Sequence, residues 1–162
     1  MVLLAHSQGG LMPWLIADVQ PKLVHSIIVI EPTDSPLKEA IFSTTAARPY
    51  GLSDAPLIYD PPISHPVVDL VMKTIVSNSS AVSNCILQAD KPRPRQLVNL
   101  KGIPVMVLTT EASYHVPCDC CTVRYLRQAG VNTTHLNLPD IGIQGNAHIV
   151  FIEKNRMRLL RR

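Results

Sequence analysis

The stretch that decides the fold is Met1-Val2-Leu3-Leu4-Ala5-His6-Ser7-Gln8-Gly9-Gly10. Residues 2–4 form a continuous apolar run, which is typical of a parallel strand covered on both faces. Ser7 follows this strand among the small residues Ala5, Gly9 and Gly10. A nucleophilic serine at a sharp strand-to-helix turn has strained backbone geometry, so bulky neighbours two positions away would clash. The stretch therefore predicts a strand, a reactive serine on a turn and a helix.

The serine has a second interpretation, because Ser is a common helix cap and Gly is common in ordinary turns. A catalytic role requires an acid and a histidine later in the chain. Apolar residues at helical spacing over residues 11–19 predict the helix behind the turn, with Pro13 near its start. We expect this helix N-terminus and the backbone N–H of Gln8 to stabilise negative charge close to Ser7.

Two glutamates are candidates for the acid. The apolar, β-branched run over residues 24–30 predicts a second parallel strand, and Glu31 follows it. Residues 102–111 predict another strand, which ends in Glu111. Since sites in open α/β sheets are built at the carboxyl ends of the strands, either glutamate could orient a histidine.

His148 is the candidate base. A short strand over residues 134–138 and a glycine-bearing loop over 139–147 precede it. An amphipathic helix is predicted after it, with Ile149, Ile152, Met157 and Leu160 on one face. A serine, two candidate acids and a histidine thus occur in the order Ser, acid, His along the chain. The remaining histidines are interpreted as surface or core residues: His6, His25, His65, His115 and His135.

By length, residues 1–162 form one domain, and residues 33–100 are predicted to leave the sheet as a cap or lid with a linker. Pro, Ser, Thr and Gly recur from residue 33 to 62. Apolar spacing over 67–77 predicts a cap helix, and the polar stretch 79–96 predicts a short helix and linker. Residues 121–129 predict a helix that ends at Gly130.

Composition excludes several classes of protein. The chain is 46% hydrophobic and 17% charged with a net charge of +3, and it has no basic stripe with aromatics, so we expect no nucleic-acid partner. No apolar run approaches the roughly 20 residues that span a bilayer. Cofactors are not expected, and no compartment is predicted.

The cysteines do not predict a metal site. Cys118, Cys120 and Cys121 form one cluster and Cys85 stands alone, whereas zinc sites usually have two separated arms. A disulfide between Cys85 and the cluster, or free thiols, are the open alternatives.

The turn resembles the G-x-S-x-G nucleophile elbow of the α/β-hydrolase superfamily, with Ala5 in place of the first glycine. Wider features resemble bacterial and fungal esterase-like serine hydrolases: residues 6–10, Glu31-Pro32, residues 51–62, and the segments 145–148 and 153–155. The resemblance implies the C-terminal part of an α/β-hydrolase fold, a parallel sheet flanked by helices with a cap insertion and without its N-terminal strands.

The same resemblance implies an esterase that forms an acyl-enzyme on a small carboxylic ester. It favours Glu31 as the acid and keeps Glu111 as the alternative, with Gln8 as one oxyanion donor. The second donor would come from a loop that precedes this chain. Strand 2–4 would then lack a neighbour, so association of copies through its edge is one expectation. A non-catalytic remnant or binding module of the same fold is the alternative function.

Overall fold

A computed structural model describes residues 1–33 and 35–154. The strands in chain order are β1 Val2–His6, β2 Ser26–Ile30, β3 Tyr59–Asp60, β4 Met72–Ile75, β5 Cys85–Gln88, β6 Gln96–Leu97, β7 Val105–Thr109 and β8 Thr133–Asn137. The α-helices are α1 Met12–Val19, α2 Pro66–Asp69 and α3 Asp119–Gln128, and short 3₁₀ turns cover Ser7–Leu11, Pro21–Leu23, Leu138–Ile141 and Val150–Ile152.

The main sheet has four parallel strands in the order β1-β2-β7-β8. Its register pairs Leu4 with Ile28, Ile28 with Met106, and Met106 with Thr134. Strands β1, β2 and β7 were predicted from their apolar runs and β8 as a short strand over residues 134–138, and the parallel sheet is confirmed. The carboxyl ends of all four strands lie at one rim, where the segments after β1, β2 and β7 meet.

The two faces of the sheet are covered differently. On one face, Val29 and Val107 are completely buried in a cluster with Trp14 of α1 and Leu126 of α3. Burying a side chain of this size stabilises the fold by roughly 1.5–3 kcal/mol. The opposite face packs a smaller cluster at the rim end: Ile30, Leu108, Leu138, Ile143 and Val150. The first face thus anchors the helices, and the second anchors the loop before His148.

Strand β1 forms the outer edge of the described sheet. It pairs with β2, and on the face opposite the larger cluster Val2 and Leu4 are 59% and 61% exposed in the part of the chain that the structure describes. An exposed apolar edge offers unpaired N–H and C=O groups to another chain. Association of copies through this edge stays a prediction.

The predicted cap helix over residues 67–77 is wrong. Helix α2 is a single turn, and β4 follows it, paired antiparallel with β5 from Met72↔Gln88 to Ile75↔Cys85. Along β4 the exposed and half-buried residues alternate, which is the period of a strand. The segment predicted as short helix and linker likewise contains β5. The apolar spacing fitted both structures, and pairing with β5 decided between them.

A disulfide between Cys85 and Cys121 joins β5 to α3. This is one of the two alternatives that the sequence left open. Helix α3 itself agrees with the prediction, and Gly130 just beyond it has φ +83°, in the left-handed region that favours glycine. The assignment of residues 33–100 as a cap stays a prediction.

The amphipathic helix predicted after His148 is replaced, in its described part, by the 3₁₀ turn Val150–Ile152. Met157 and Leu160 of that prediction lie outside the described residues. No helix in residues 1–33 and 35–154 is long and apolar enough to cross a membrane.

Candidate active site

Ser7 is the first residue after β1 and has φ 55°, a left-handed conformation that is uncommon for serine. Thr33 fixes this turn from the neighbouring strand end, because its N–H and its hydroxyl donate to the Ser7 carbonyl at 3.1 and 2.9 Å. Strained residues of this kind persist where the surrounding structure holds them, and they cluster at functional sites. The sharp turn predicted at Ser7 is therefore present.

The steric requirement for a small residue lies at Gly10. A Cβ atom there would be 2.6 Å from Cβ of Pro32, closer than real Cβ contacts. At Gly9 a Cβ atom would have no heavy atom of the described residues within 4 Å. The expectation of crowding at Gly9 is thus wrong for this part of the chain. The tight approach is instead between the turn and the Glu31-Pro32 segment.

His148 lies between Ser7 and Glu31. Its Nε2 is 2.9 Å from Ser7 Oγ, although 141 positions separate the two residues, and its Nδ1 is 2.6 Å from Glu31 Oε2. Since the Glu31 carboxylate can only accept, Nδ1–H donates to it, and Nε2 accepts from the serine hydroxyl. This tautomer leaves a basic nitrogen directed at Ser7.

Glu31 follows β2 directly, has φ 46° and is completely buried. Its Oε1 accepts from the N–H and the hydroxyl of Thr110 at 2.8 and 2.5 Å, and its Oε2 accepts from the Ser113 hydroxyl at 2.6 Å. Burial acts to raise the pKa of Glu31, but the hydrogen bonds from Ser113, Thr110 and His148 outweigh it and lower the pKa overall. The carboxyl group is therefore ionised at neutral pH.

Glu111 is exposed and is engaged elsewhere. Its Oε2 accepts from the Gly145 N–H at 2.6 Å, and the next residue, Ala112, donates its N–H to the Asn146 carbonyl at 2.8 Å. These bonds dock the loop that carries His148 against the end of β7. Of the two glutamates, Glu31 thus contacts the His148 imidazole, whereas Glu111 contacts the backbone of the loop that carries His148.

Three aromatic rings surround the His148 imidazole. His6, Tyr114 and His115 lie at centroid distances of 4.5, 4.7 and 4.7 Å. His6 Nε2–H also donates to the His148 carbonyl at 2.7 Å. Burial lowers the pKa of His148, and the hydrogen bond to Glu31 opposes this only in part. The imidazole is therefore neutral and able to accept a proton at neutral pH.

Sequence reasoning missed His6, His115, Thr110 and Ser113. His6 and His115 were interpreted as surface or core residues, yet both contact His148. The available signals were position: His6 precedes the serine, and the other three follow β7 at the same rim. Position alone did not show which side chains point inward.

Comparison with known proteins gives the same picture of the fold. No protein-family model matches the chain. A probable secreted lipase, phiG, of Fungal sp. (strain ATCC 74256) is 37% identical over 156 residues, which cover 96% of this chain and 42% of the relative. The atomic-resolution structure of a novel bacterial esterase aligns with 99% of this chain and 35% of its own, with 19% identity and a TM-score of 0.54.

The chain has part of an esterase-like α/β-hydrolase fold. The chain spans about two fifths, 42%, of the length of the lipase relative. The prediction of a partial α/β-hydrolase fold with a parallel sheet flanked by helices is confirmed.

A cavity of about 510 Å³ opens at Ser7 of this α/β-hydrolase fold. Its polar lining includes Gln8, Thr33 and Glu39. Its apolar lining includes Ile41 and Phe42 from the segment after β2, and Tyr114, whose ring centroid is 6.0 Å from that of Phe42. The cavity at the serine therefore has both polar groups and an apolar surface.

Two clusters of potential metal ligands occur among the described residues of this α/β-hydrolase fold: Cys85, Cys120 and Cys121, and His115, Cys118 and Asp119. Two thiols of the first cluster form the disulfide. In the second, Asp119 already accepts from the Thr109 hydroxyl at 2.7 Å, and the Cys118 thiol donates to the His115 carbonyl at 3.3 Å. We assign no metal to either cluster.

Proposed function

We propose that this chain carries the catalytic residues of a serine ester hydrolase, with Ser7 as nucleophile, His148 as general base and Glu31 as the acid that orients it. The observation that supports this most strongly is the unbroken line of hydrogen bonds from Ser7 Oγ through the imidazole to a buried, ionised carboxylate. This is the geometry by which an adjacent base activates a hydroxyl.

The reaction begins when Ser7 Oγ attacks the carbonyl carbon of an ester and His148 Nε2 takes the hydroxyl proton. The carbonyl oxygen becomes an oxyanion, which the backbone N–H of Gln8 stabilises. As the bond to the alcohol breaks, His148 returns the proton to the leaving oxygen and an acyl-enzyme remains. Water then attacks the acyl carbon, and His148 Nε2 takes a proton from it. As the bond between the acyl carbon and Ser7 Oγ breaks, His148 gives that proton to Ser7 Oγ, and the carboxylic acid is released. Glu31 stays ionised throughout and stabilises the imidazolium.

The substrate we propose is a carboxylic ester with an apolar group. The lipase relative and the apolar wall of Ile41, Phe42 and Tyr114 support this class. An apolar acyl or alcohol group packed on that wall would place its ester carbonyl at Ser7. Burial of each methylene adds about 0.8 kcal/mol to binding, so longer apolar groups are expected to lower KM.

A fluorophosphonate probe tests the proposal, because it reacts with serines activated by a neighbouring base. We expect the folded, full-length protein to be labelled and Ser7→Ala to abolish the labelling. Ser64→Ala is the matched control, since Ser64 is exposed and lies outside this site, and it should label like the parent. A folded protein that hydrolyses no ester and takes no label would instead support the alternative of a non-catalytic remnant or binding module.

A further inference from the structure

A second histidine–carboxylate pair, His115 and Asp119, lies beside the pair of His148 and Glu31. The His115 and His148 rings are stacked with an interplanar angle of 7° and a centroid distance of 4.7 Å. His115 Nδ1 is 3.3 Å from Asp119 Oδ1, and the two residues are 2% and 0% exposed. The two imidazoles are therefore adjacent and nearly parallel, and both residues are buried.

Asp119 is fixed from the sheet side. Thr109 has one hydroxyl proton, which it donates to Asp119 Oδ2 at 2.7 Å, so the contact of 2.9 Å with His135 Nε2 requires His135 to donate to Thr109 Oγ1. Burial raises the pKa of Asp119, and the contacts with His115 and Thr109 oppose this rise. The carboxyl group that faces His115 is thus held by strand β7 and helix α3 together.

His115 is also connected to Glu31 through its backbone. Its N–H donates to Ser113 Oγ at 3.1 Å, and the Ser113 hydroxyl donates to Glu31 Oε2 at 2.6 Å. The segment that carries His115 therefore contacts both partners of the acid–base pair, the Glu31 carboxylate by hydrogen bonds and the His148 ring by stacking.

We infer that His115, buried beside Asp119, is a positioning residue that fixes the ring plane of His148 during the reaction. This inference rests on the proposed function. His148 follows an irregular loop with left-handed glycines at 142 and 145 and lies outside the helices and strands, so neighbouring side chains hold its ring. Two hydrogen bonds in the imidazole plane set the direction of the nitrogens. The flat His115 ring packs against one face of the His148 imidazole. It therefore limits a tilt of that imidazole that would break its hydrogen bonds to Ser7 and Glu31.

The test is the turnover of a soluble chromogenic ester by full-length variants, with active sites counted by fluorophosphonate labelling. For His115→Ala we expect kcat per labelled site to fall about tenfold, which is the scale of one aromatic contact. The change in KM should be smaller than the change in kcat: His115 lines the cavity at Ser7, but the larger part of its effect is expected on the bond-making step in which His148 acts. His115→Phe keeps a flat ring and should recover kcat to within about threefold of the parent.

Two further variants make the result specific. Asp119→Asn keeps the shape of the side chain and its bond from Thr109, and should lower kcat per labelled site by about threefold, since it removes the carboxylate charge 3.3 Å from His115 Nδ1 without removing the ring. His25→Ala is the control, because His25 is exposed, and it should match the parent.

The outcomes separate positioning from stability. If His115 were only structural, its loss would lower the melting temperature or the labelled fraction and leave kcat per labelled site unchanged. That result, or a Phe variant as slow as the Ala variant, overturns the inference. Failure of the proposed function would look different, because the parent protein itself would then neither label nor turn over the ester.

Discussion

Glu31 and Glu111 follow neighbouring parallel strands at the same rim of the sheet, yet they have opposite environments. Glu31 is the residue directly after β2, is completely buried and takes part in four hydrogen bonds. Glu111 lies beyond the last residue of β7, is exposed and bonds the Gly145 N–H. The segment after β7 supplies donors to Glu31 from Thr110 and Ser113 instead of an acid. The comparison teaches that the two adjacent strand ends have different roles: the end of β2 provides the Glu31 carboxylate, and the segment after β7 stabilises its charge with hydrogen-bond donors.

The largest expected effect is that of Glu31→Gln, which removes the charge and keeps the shape. We expect kcat to fall by about 10³ to 10⁴-fold, because the histidine loses the partner that fixes its tautomer and stabilises its cation. Steady-state hydrolysis of a soluble ester measures this, with circular dichroism to establish folding. A greater loss in Glu111→Gln would reverse the assignment of the two acids.

An intermediate effect is expected for Ser113→Ala, which removes one donor from the Glu31 carboxylate. A donor to the ionised form lowers a pKa, so its loss raises the pKa of Glu31 and leaves the carboxylate that stabilises the imidazolium with one hydrogen bond fewer. We expect kcat at pH 7 to fall by about tenfold, the cost of one charge-assisted hydrogen bond. The matched variant Ser113→Thr keeps the hydroxyl and should retain more activity than the Ala variant; equal losses would count against the donor role.

The smallest effect is expected for Glu111→Gln. The Glu111 carboxylate contacts the loop that carries His148 from its exposed side, so kcat should stay within about threefold of the parent while the melting temperature falls slightly.

In the parent and in Glu111→Gln, activity should decline on acidification below 6.5, the ordinary pKa of histidine. The pKa of His148 is lowered from that value, and protonation removes the base. A pH–rate profile measures this, and an acid limb displaced by the Glu111 change would contradict it.

The rim was predictable from the sequence because its signals are local and ordered along the chain. An apolar run before Ser7, a glutamate after the next run and a histidine loop near the end place three side chains at one edge of any parallel sheet. The choice between Glu31 and Glu111 was not local. It depends on which side chain reaches the imidazole after folding, and only the resemblance to known hydrolases favoured Glu31.

The segment between β2 and β7 shows where sequence reasoning failed. Apolar residues at 67, 70, 71 and 75 fit a helical period, but β4 forms because β5 is available to pair with it. That pairing is a tertiary event, and the disulfide from Cys85 to Cys121 adds a further constraint that cysteine spacing could only leave open. His115 was missed for a related reason, since stacking on His148 appears only once α3 is packed.

The Cys85–Cys121 bridge closes a loop of 36 positions that contains β6, β7 and two residues that donate to Glu31, Thr110 and Ser113. Peptide-bond cleavage at any point inside that loop leaves both pieces covalently attached. A nicked molecule therefore migrates as a single band on a non-reducing gel and separates into two after treatment with a thiol. Limited proteolysis inside this loop would thus cut the backbone near Thr110 and Ser113 while the disulfide keeps the two pieces in one molecule.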